Sequence, residues 1–156
     1  MNFIITAAAL NPRSRTVHYS STAGIFQGQT AHLASEANSS LLRGYLHATL
    51  DGLDKIENLI GKGTNIVIDV LIPDEVIAEK IRSASSSTFG RIKNFDNQDL
   101  WERLLARKKE FTLNVVSHPD EAADLDALWK WQKPGFAFGV TREAYSTAPD
   151  PRPSSL

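Results

Sequence analysis

The feature that most constrains the fold is a short stretch in the middle of the chain. Asn65–Leu71 reads NIVIDVL, a nearly continuous run of β-branched and aliphatic residues. A strand of this kind is usually buried on both faces, as the strands of a parallel sheet are. The sequence therefore predicts a sheet that is parallel at least in part and has helices covering its faces.

Three strand-like segments precede this stretch. Asn2–Leu10 is apolar and small, and Thr16–Ser21 and Ile25–Leu33 carry strand-forming residues. Turn-forming residues at Asn11–Ser14 and at Ser21–Gly24 separate them. The start of the chain is therefore predicted to be an antiparallel meander of three strands.

Apolar residues then recur at three- and four-residue steps, which predicts a long amphipathic helix over Glu36–Ile60. Ser35 or Asn38 would cap its start, and Gly61 would end it. The later predicted elements are the helices Asp74–Arg82 and Asp96–Arg107, the strand Phe111–Val116, and a helix that begins near Pro119. The order βββαβααβα predicts a mixed five-stranded sheet, three antiparallel strands followed by two parallel ones, flanked by helices.

Composition narrows the possibilities further. A chain of 156 residues with 42% apolar and 22% charged residues is typical of one globular domain. The net charge of −1 gives no overall field that would indicate nucleic acid or membrane. The absence of cysteine and of an apolar stretch approaching ~20 residues favours a cytoplasmic or nuclear protein that is not secreted. We predict a domain over residues 1–132 and a C-terminal extension over 133–156, whose last ~10 Pro- and Ser-rich residues are extended or disordered.

Several local strings carry a family resemblance. They are Lys93–Leu104 (KNFDNQDLWERL), Val115–His118 (VVSH), Ala123–Leu125 (ADL), and Ala37–Leu42 (ANSSLL) followed by Ala48–Leu53 (ATLDGL). In their order and spacing they resemble strings of the bacterial-type ribonucleases H, over about residues 1–132. The resemblance implies a ribonuclease H-like fold, in agreement with the element order.

The family hydrolyses phosphodiesters with two Mg²⁺ ions held by carboxylates. The resemblance places the family's first three acids at Ala7, Leu42 and Val70, so those catalytic positions are lost. Asp124 stands where the family has its last acid, and His118 matches the family's loop histidine. The first 35 residues contain no carboxylate at all, so no neighbouring acid can replace the one on the first strand.

Two interpretations of the remaining polar residues stay open. A divergent nuclease would use Asp69, Asp124 and His118, with Asp69 and Asp124 as metal ligands, and would need Mg²⁺. Structural roles are the alternative, because Asp124 would stabilise a helix N-terminus, His118 would cap that helix, and Asp69 would pair with a lysine or cap a turn. Whether the chain is an enzyme is therefore undecided at this point, with a non-catalytic domain favoured.

The segment from residue 80 to residue 109 is strongly basic, with eight cations against three acids. The resemblance places it beside the groove for the DNA strand of an RNA–DNA hybrid. The candidate nucleic-acid-binding residues are Arg91, Lys93, Arg103, Arg107, Lys108 and Lys109. Such side chains neutralise phosphates, although a solvated helix face with cations at its C-terminal end would look the same.

The favoured hypothesis is a catalytically degenerate ribonuclease H-like domain. It would bind nucleic acid or another protein as a subunit or regulatory module of a nucleic-acid-handling complex. A divergent metal-dependent nuclease acting on RNA–DNA hybrids and a purely structural assembly protein are the alternatives. No motif indicates a small-molecule cofactor, since Gly61-Lys62-Gly63 lacks the frame of a phosphate-binding loop.

Overall fold

The computed structural model describes residues 2–25, 28–85 and 97–118. In this part of the chain it has five strands and three helices. They are β1 (Phe3–Asn11), β2 (Thr16–Ile25), β3 (Gly28–Glu36), α1 (Leu41–Ile60), β4 (Val67–Leu71), α2 (Glu75–Ser83), α3 (Gln98–Lys108) and β5 (Thr112–Val116). No helix among these residues is long and apolar enough to cross a bilayer.

The five strands form one mixed sheet in the order β3-β2-β1-β4-β5. β1 pairs antiparallel with β2, and β2 pairs antiparallel with β3. β4 lies parallel to both β1 and β5. The predicted fold class is confirmed, three antiparallel strands followed by two parallel ones.

Helix α1 packs closely on one face of the sheet. Its two buried glycines make this approach possible, because a Cβ at Gly44 would lie 2.6 Å from Cγ2 of Val17, and one at Gly52 would lie 2.5 Å from Cγ2 of Ile4. Ile4 and Leu53 are fully buried in the core between α1 and the sheet. The alternation along β1 sends Phe3 and Ile5 to the opposite face, where they cluster with Leu71 and Val116.

The predicted turn at Ser21–Gly24 is wrong. β2 continues through these residues to Ile25, and Gly24 pairs with Phe3 on β1. Small and hydroxylated residues are found here because the strand is paired on both sides and Ser21 is 2% exposed beneath α1. The predicted start of the third strand moves accordingly, and β3 begins at Gly28.

The predicted start of the long helix is also wrong, although its end is confirmed. Glu36 is the last residue of β3, and the helix begins at Leu41. Ser40 is the N-cap, since its side chain accepts a hydrogen bond from the backbone N–H of Arg43 at 3.1 Å. Gly61 ends the helix with a φ of +82°, a conformation that favours glycine. The predicted last helix and the C-terminal extension lie outside the described residues.

Candidate active-site region and nucleic-acid interface

The candidate site lies where the parallel strands reach their carboxyl ends. β4 ends at Leu71, opposite Ile5 in the middle of β1. The hydroxyl of Thr6 donates a hydrogen bond of 2.7 Å to the Leu71 carbonyl, and the backbone N–H of Ile72 donates to Val116 O at 2.9 Å. These bonds join the ends of β4 and β5 to β1 in a junction that is largely apolar, and Ile72 within it is fully buried.

Two of the positions predicted for lost acids lie on opposite faces of the sheet. Val70 pairs with Ile4 and belongs to the core under α1. Ala7 follows the alternation of Phe3 and Ile5 and faces away from α1. Ala7 and Val70 are both buried, and they do not face each other. Leu71, one residue further on, shares the face of Ala7 and is apolar as well.

Leu42, the third position, lies in the first turn of α1. It is partly buried and packs against the main core. The sequence therefore puts an aliphatic side chain at each of the three predicted positions, and the structure gives each of them packing contacts or burial. These side chains cannot bind a cation.

Asp69 is held away from the strand ends. It pairs with Phe3 and with Asn114, and its Oδ1 accepts a hydrogen bond of 2.9 Å from the Asn114 amide. The structure therefore ties Asp69 to Asn114 within the sheet. His118 lies two residues beyond the end of β5. Asp124 lies outside the described residues.

His118 is exposed and lies at one end of a cleft between α2 and the last residues of β5. The cleft has a volume of about 760 Å³. Its charged lining is mixed, with Glu75 and Glu79 beside Lys80 and Arg82. Because the two carboxylates are accompanied by two cations, this cleft does not concentrate negative charge as a metal site would.

Asp74 is a carboxylate at the strand–helix junction that the sequence analysis did not single out as a site residue. It follows β4 and is the N-cap of α2, where its Oδ1 accepts a hydrogen bond of 3.0 Å from the backbone N–H of Ile77. An aspartate directly before a helix is a recognisable cap signal. Capping accounts for this residue.

The donor set in the described part of the chain does not fit the two Mg²⁺ ions that the resemblance implies. Within residues 2–25, 28–85 and 97–118, no three His, Asp or Glu side chains lie close enough together to hold a metal ion. Mg²⁺ requires hard oxygen ligands, and two such ions bring four positive charges that need several carboxylates. No catalytic step is therefore assigned to a metal here.

A dense polar network instead surrounds the start of α1, next to β3. The Glu36 carboxylate accepts hydrogen bonds from Ser39 Oγ at 2.7 Å and Arg43 Nε at 2.7 Å, and lies 3.0 Å from His47 Nε2. The two terminal nitrogens of Arg43 also donate to the two oxygens of Asp99 on α3, each at 2.9 Å. This network fixes β3, α1 and α3 relative to one another.

Burial acts to raise the pKa of Glu36, but the hydrogen bonds from Arg43, Ser39 and His47 outweigh it and lower that pKa from 4.5 to about 2. A carboxyl whose pKa is lower in the folded state stabilises the fold above its unfolded pKa. That contribution is lost as the pH falls from about 4.5 towards 2. We expect the Glu36→Gln substitution to cost about 1–2 kcal/mol at neutral pH and little near pH 2, after allowing for solvent screening. Urea denaturation over a series of pH values measures this.

The matched control is Glu102→Gln, which removes an exposed carboxylate that accepts a hydrogen bond only from the Gln98 side chain among the contacts described for it. Its stability should follow the wild-type pH dependence within a few tenths of a kcal/mol. A Glu36→Gln protein with the same acid dependence as the wild type would show that the network does not contribute to stability.

Two of the predicted nucleic-acid-binding cations have partners within the domain. Arg107 is bonded to Asp54 and donates to Glu57 at 2.8 Å and to Glu110 at 3.1 Å, joining α3 to α1. Lys108 Nζ donates to three carbonyls at the end of α2, those of Ile81 (2.5 Å), Arg82 (3.2 Å) and Ala84 (2.8 Å). Lys108 therefore closes a helix end, and burial lowers the pKa of its ammonium group.

The exposed cations are distributed differently from the sequence prediction. Arg103 is exposed on α3 and Lys109 is exposed at its C-cap, while Arg91 and Lys93 lie outside the described residues. Arg13 and Arg15, which the sequence analysis did not include, are exposed in the turn between β1 and β2. This turn adjoins the start of α1, because the Ser39 N–H donates to Arg15 O at 2.8 Å.

The comparisons with known proteins agree with this architecture. A ribonuclease H1 obtained from compost by a metagenomic approach, solved in complex with an RNA/DNA hybrid, superposes with a TM-score of 0.57 at 10% identity, covering 80% of this chain and 93% of that one. The N-terminal ribonuclease H domain of a Mycobacterium tuberculosis protein gives a TM-score of 0.54 at 14% identity, covering 84% and 99%. The chain has a ribonuclease H-like fold.

Sequence comparison alone does not find this relationship. No protein-family model matches the chain, and no curated protein matches it. At 10–14% identity the structural similarity shows the ribonuclease H-like fold and not the activity. The activity has to be inferred from the site itself.

Proposed function

We propose that this chain is a catalytically degenerate ribonuclease H-like domain that binds nucleic acid as a subunit or regulatory module. The observation that carries the proposal is that apolar side chains occupy the three positions predicted for the metal-binding acids, Ala7 on β1, Val70 on β4 and Leu42 in the first turn of α1. Ala7 and Val70 are buried, and an apolar side chain at a buried position favours the folded state where a charged carboxylate would not. The scaffold is retained and the metal-binding chemistry is not.

Nucleic acid is favoured as the ligand by the placement of exposed cations. Arg13 and Arg15 are exposed in the turn that follows the carboxyl end of β1, and no acidic residue precedes Glu36 in the chain. Arg103 and Lys109 add positive charge on α3. One of the similar structures holds an RNA/DNA hybrid, which makes such a hybrid the first ligand to test.

The binding test is fluorescence anisotropy with a labelled RNA–DNA hybrid at several salt concentrations. Each lost phosphate contact should reduce the salt slope by about 1. We expect the double substitution Arg13→Glu and Arg15→Glu to weaken binding by about tenfold or more and to reduce the slope by about 2. Arg103→Glu with Lys109→Glu tests the α3 surface in the same way.

A control of equal charge change is Lys55→Glu with Lys62→Glu, on the distal half of α1 and just beyond it. Binding by this control should be close to that of the wild type. Equal losses in all the double variants would indicate only a response to net charge. No affinity at low salt would contradict the nucleic-acid proposal and favour a protein partner or the structural assembly role.

Cleavage of the same hybrid in Mg²⁺ and in Mn²⁺ tests the loss of activity. We expect no cleavage by well-folded protein. Cleavage that disappears in an Asp124→Asn variant would establish a working metal site and overturn the proposal. The divergent nuclease is not favoured, because Asp69 is bonded to Asn114 and the described residues contain no group of three His, Asp or Glu side chains that could hold a metal ion.

A further inference from the structure

The strand β3 forms one edge of the sheet and is open along its outer side among the described residues. It pairs with β2 over its whole length, from Gly28 to Glu36, without a bulge. Unpaired strand edges bind other strands, and proteins usually block them with Lys, Pro, bulges or inward-pointing charges. Gly28–Ser35 contains no Asp, Glu, Lys, Arg or Pro.

The opposite edge of the sheet, formed by β5, is protected from pairing with another strand. β5 is short, and the bond from Ile72 N–H to Val116 O orients the Val115 carbonyl away from β4. Arg82 of α2 covers that carbonyl, with its Nε donating at 3.1 Å and its Nη2 at 2.9 Å. Nothing equivalent covers β3 in the described part of the chain.

The polar side chains of β3 that could discourage pairing are directed to α1 instead. His32 Nε2 lies 3.5 Å from the Asp51 carboxylate, and the Glu36 carboxylate is held by Ser39 and Arg43. On the face away from α1, Leu33 is 45% exposed. The edge is therefore nine residues long, without a bulge and uncharged as far as Ser35, with the aliphatic Leu33 side chain beside it.

We propose that β3 pairs antiparallel with β3 of a second copy of this chain, joining two five-stranded sheets into one. In a two-fold dimer the same surface of each copy forms the interface, so β3 of one copy would lie against β3 of the other. Because Gly28–Ser35 carries no Asp, Glu, Lys or Arg, this stretch brings no like charges together. The second copy offers a complementary edge of equal length at the same concentration. A single strand pair buries less than the ~1,200 Å² of a standard interface, so the dimer is weak and depends on concentration.

The test combines sedimentation equilibrium over a wide concentration range with hydrogen–deuterium exchange. We expect a monomer–dimer equilibrium, and amide protection within Gly28–Glu36 that increases with protein concentration. Leu33→Lys adds a charge beside the edge and should weaken the dimer at least tenfold. Val67→Lys is the matched control, because Val67 is similarly exposed, at 51%, on the interior strand β4. It should leave the equilibrium unchanged.

Three results would overturn the proposal. One is a wild-type protein that stays monomeric at every concentration. Another is a dimer whose β3 exchange does not depend on concentration, which would place the interface elsewhere. The third is a folded Leu33→Lys protein that dimerises as well as Val67→Lys. If Leu33→Lys fails to fold, the exchange measurement on the wild type still decides.

Discussion

The Ala7→Asp substitution should destabilise the domain by about 3–5 kcal/mol at neutral pH. Ala7 is 1% exposed on β1, and the described residues form no group of three His, Asp or Glu side chains that could hold a metal ion. Burial disfavours the charged carboxylate, so the pKa of the introduced group should rise above its unfolded value. The variant should therefore be closest to wild-type stability in acid and lose stability as the pH rises towards the folded pKa. Urea denaturation at several pH values measures both effects.

Adding Mg²⁺ to the Ala7→Asp variant tests whether a metal site can still form around this position. If the remaining acids no longer gather around Ala7, adding Mg²⁺ should not restore stability. Ala9→Asp is the matched control, because Ala9 lies on the same face of β1 and is also buried, but it is not a predicted metal position. Restoration by Mg²⁺ in Ala7→Asp and not in Ala9→Asp would show that a metal site still assembles there, against the proposed degeneracy.

The Gly52→Ala substitution should also destabilise the fold, by about 1–3 kcal/mol, although replacing glycine in a helix usually adds up to about 1 kcal/mol of stability. The new methyl group would lie 2.5 Å from Ile4 Cγ2 and 2.8 Å from Ser21 Oγ. These atoms belong to paired strands and cannot move aside cheaply, so α1 would have to shift off the sheet. Midpoints and slopes of urea denaturation give the change in unfolding free energy.

A helix-surface substitution separates packing from helix propensity. Asn58→Ala changes an exposed residue of α1 and should leave stability unchanged or slightly higher. Gly44→Ala should resemble Gly52→Ala, because its methyl group would lie 2.6 Å from Val17 Cγ2. A Gly52→Ala protein more stable than the wild type would contradict the close packing of α1 on β1 and β2.

The element order could be predicted because the period of the apolar residues changes from strand to helix near residue 40. The boundaries of the strands and of α1 were harder to predict from the sequence. Ser21–Gly24 looks like a turn in isolation, and only pairing with β1 and β3 makes it part of a strand. Glu36 has a spacing that suits α1, yet its backbone pairs with Val17 at the end of β3.

For the candidate site, the residue types could be read from the sequence, but the arrangement of the side chains could not. The resemblance predicts that acids are missing at Ala7, Leu42 and Val70, but the opposite faces of Ala7 and Val70 depend on strand register, and a shift of one residue reverses the face. Counting cations could not separate Arg107 and Lys108, which have partners from distant segments, from the exposed Arg103 and Lys109. The capping role of Asp74 was recognisable locally, since the helix start and its aspartate are adjacent.

The unequal pairing of β1 has a consequence for how the domain opens and closes. All of β1 pairs with β2, whereas only Phe3–Ile5 pair with β4. The three strands of the meander and α1 also follow one another directly in the sequence. Their contacts are therefore comparatively local, and these elements can form as one early cooperative unit. The β4–α2–α3–β5 half docks on it through a short strand seam, through an apolar core shared with α1 that includes Val70 and Leu104, and through the ion pairs of Arg43 and Arg107. Partial unfolding should begin at that seam, so the second half can detach while the first stays intact.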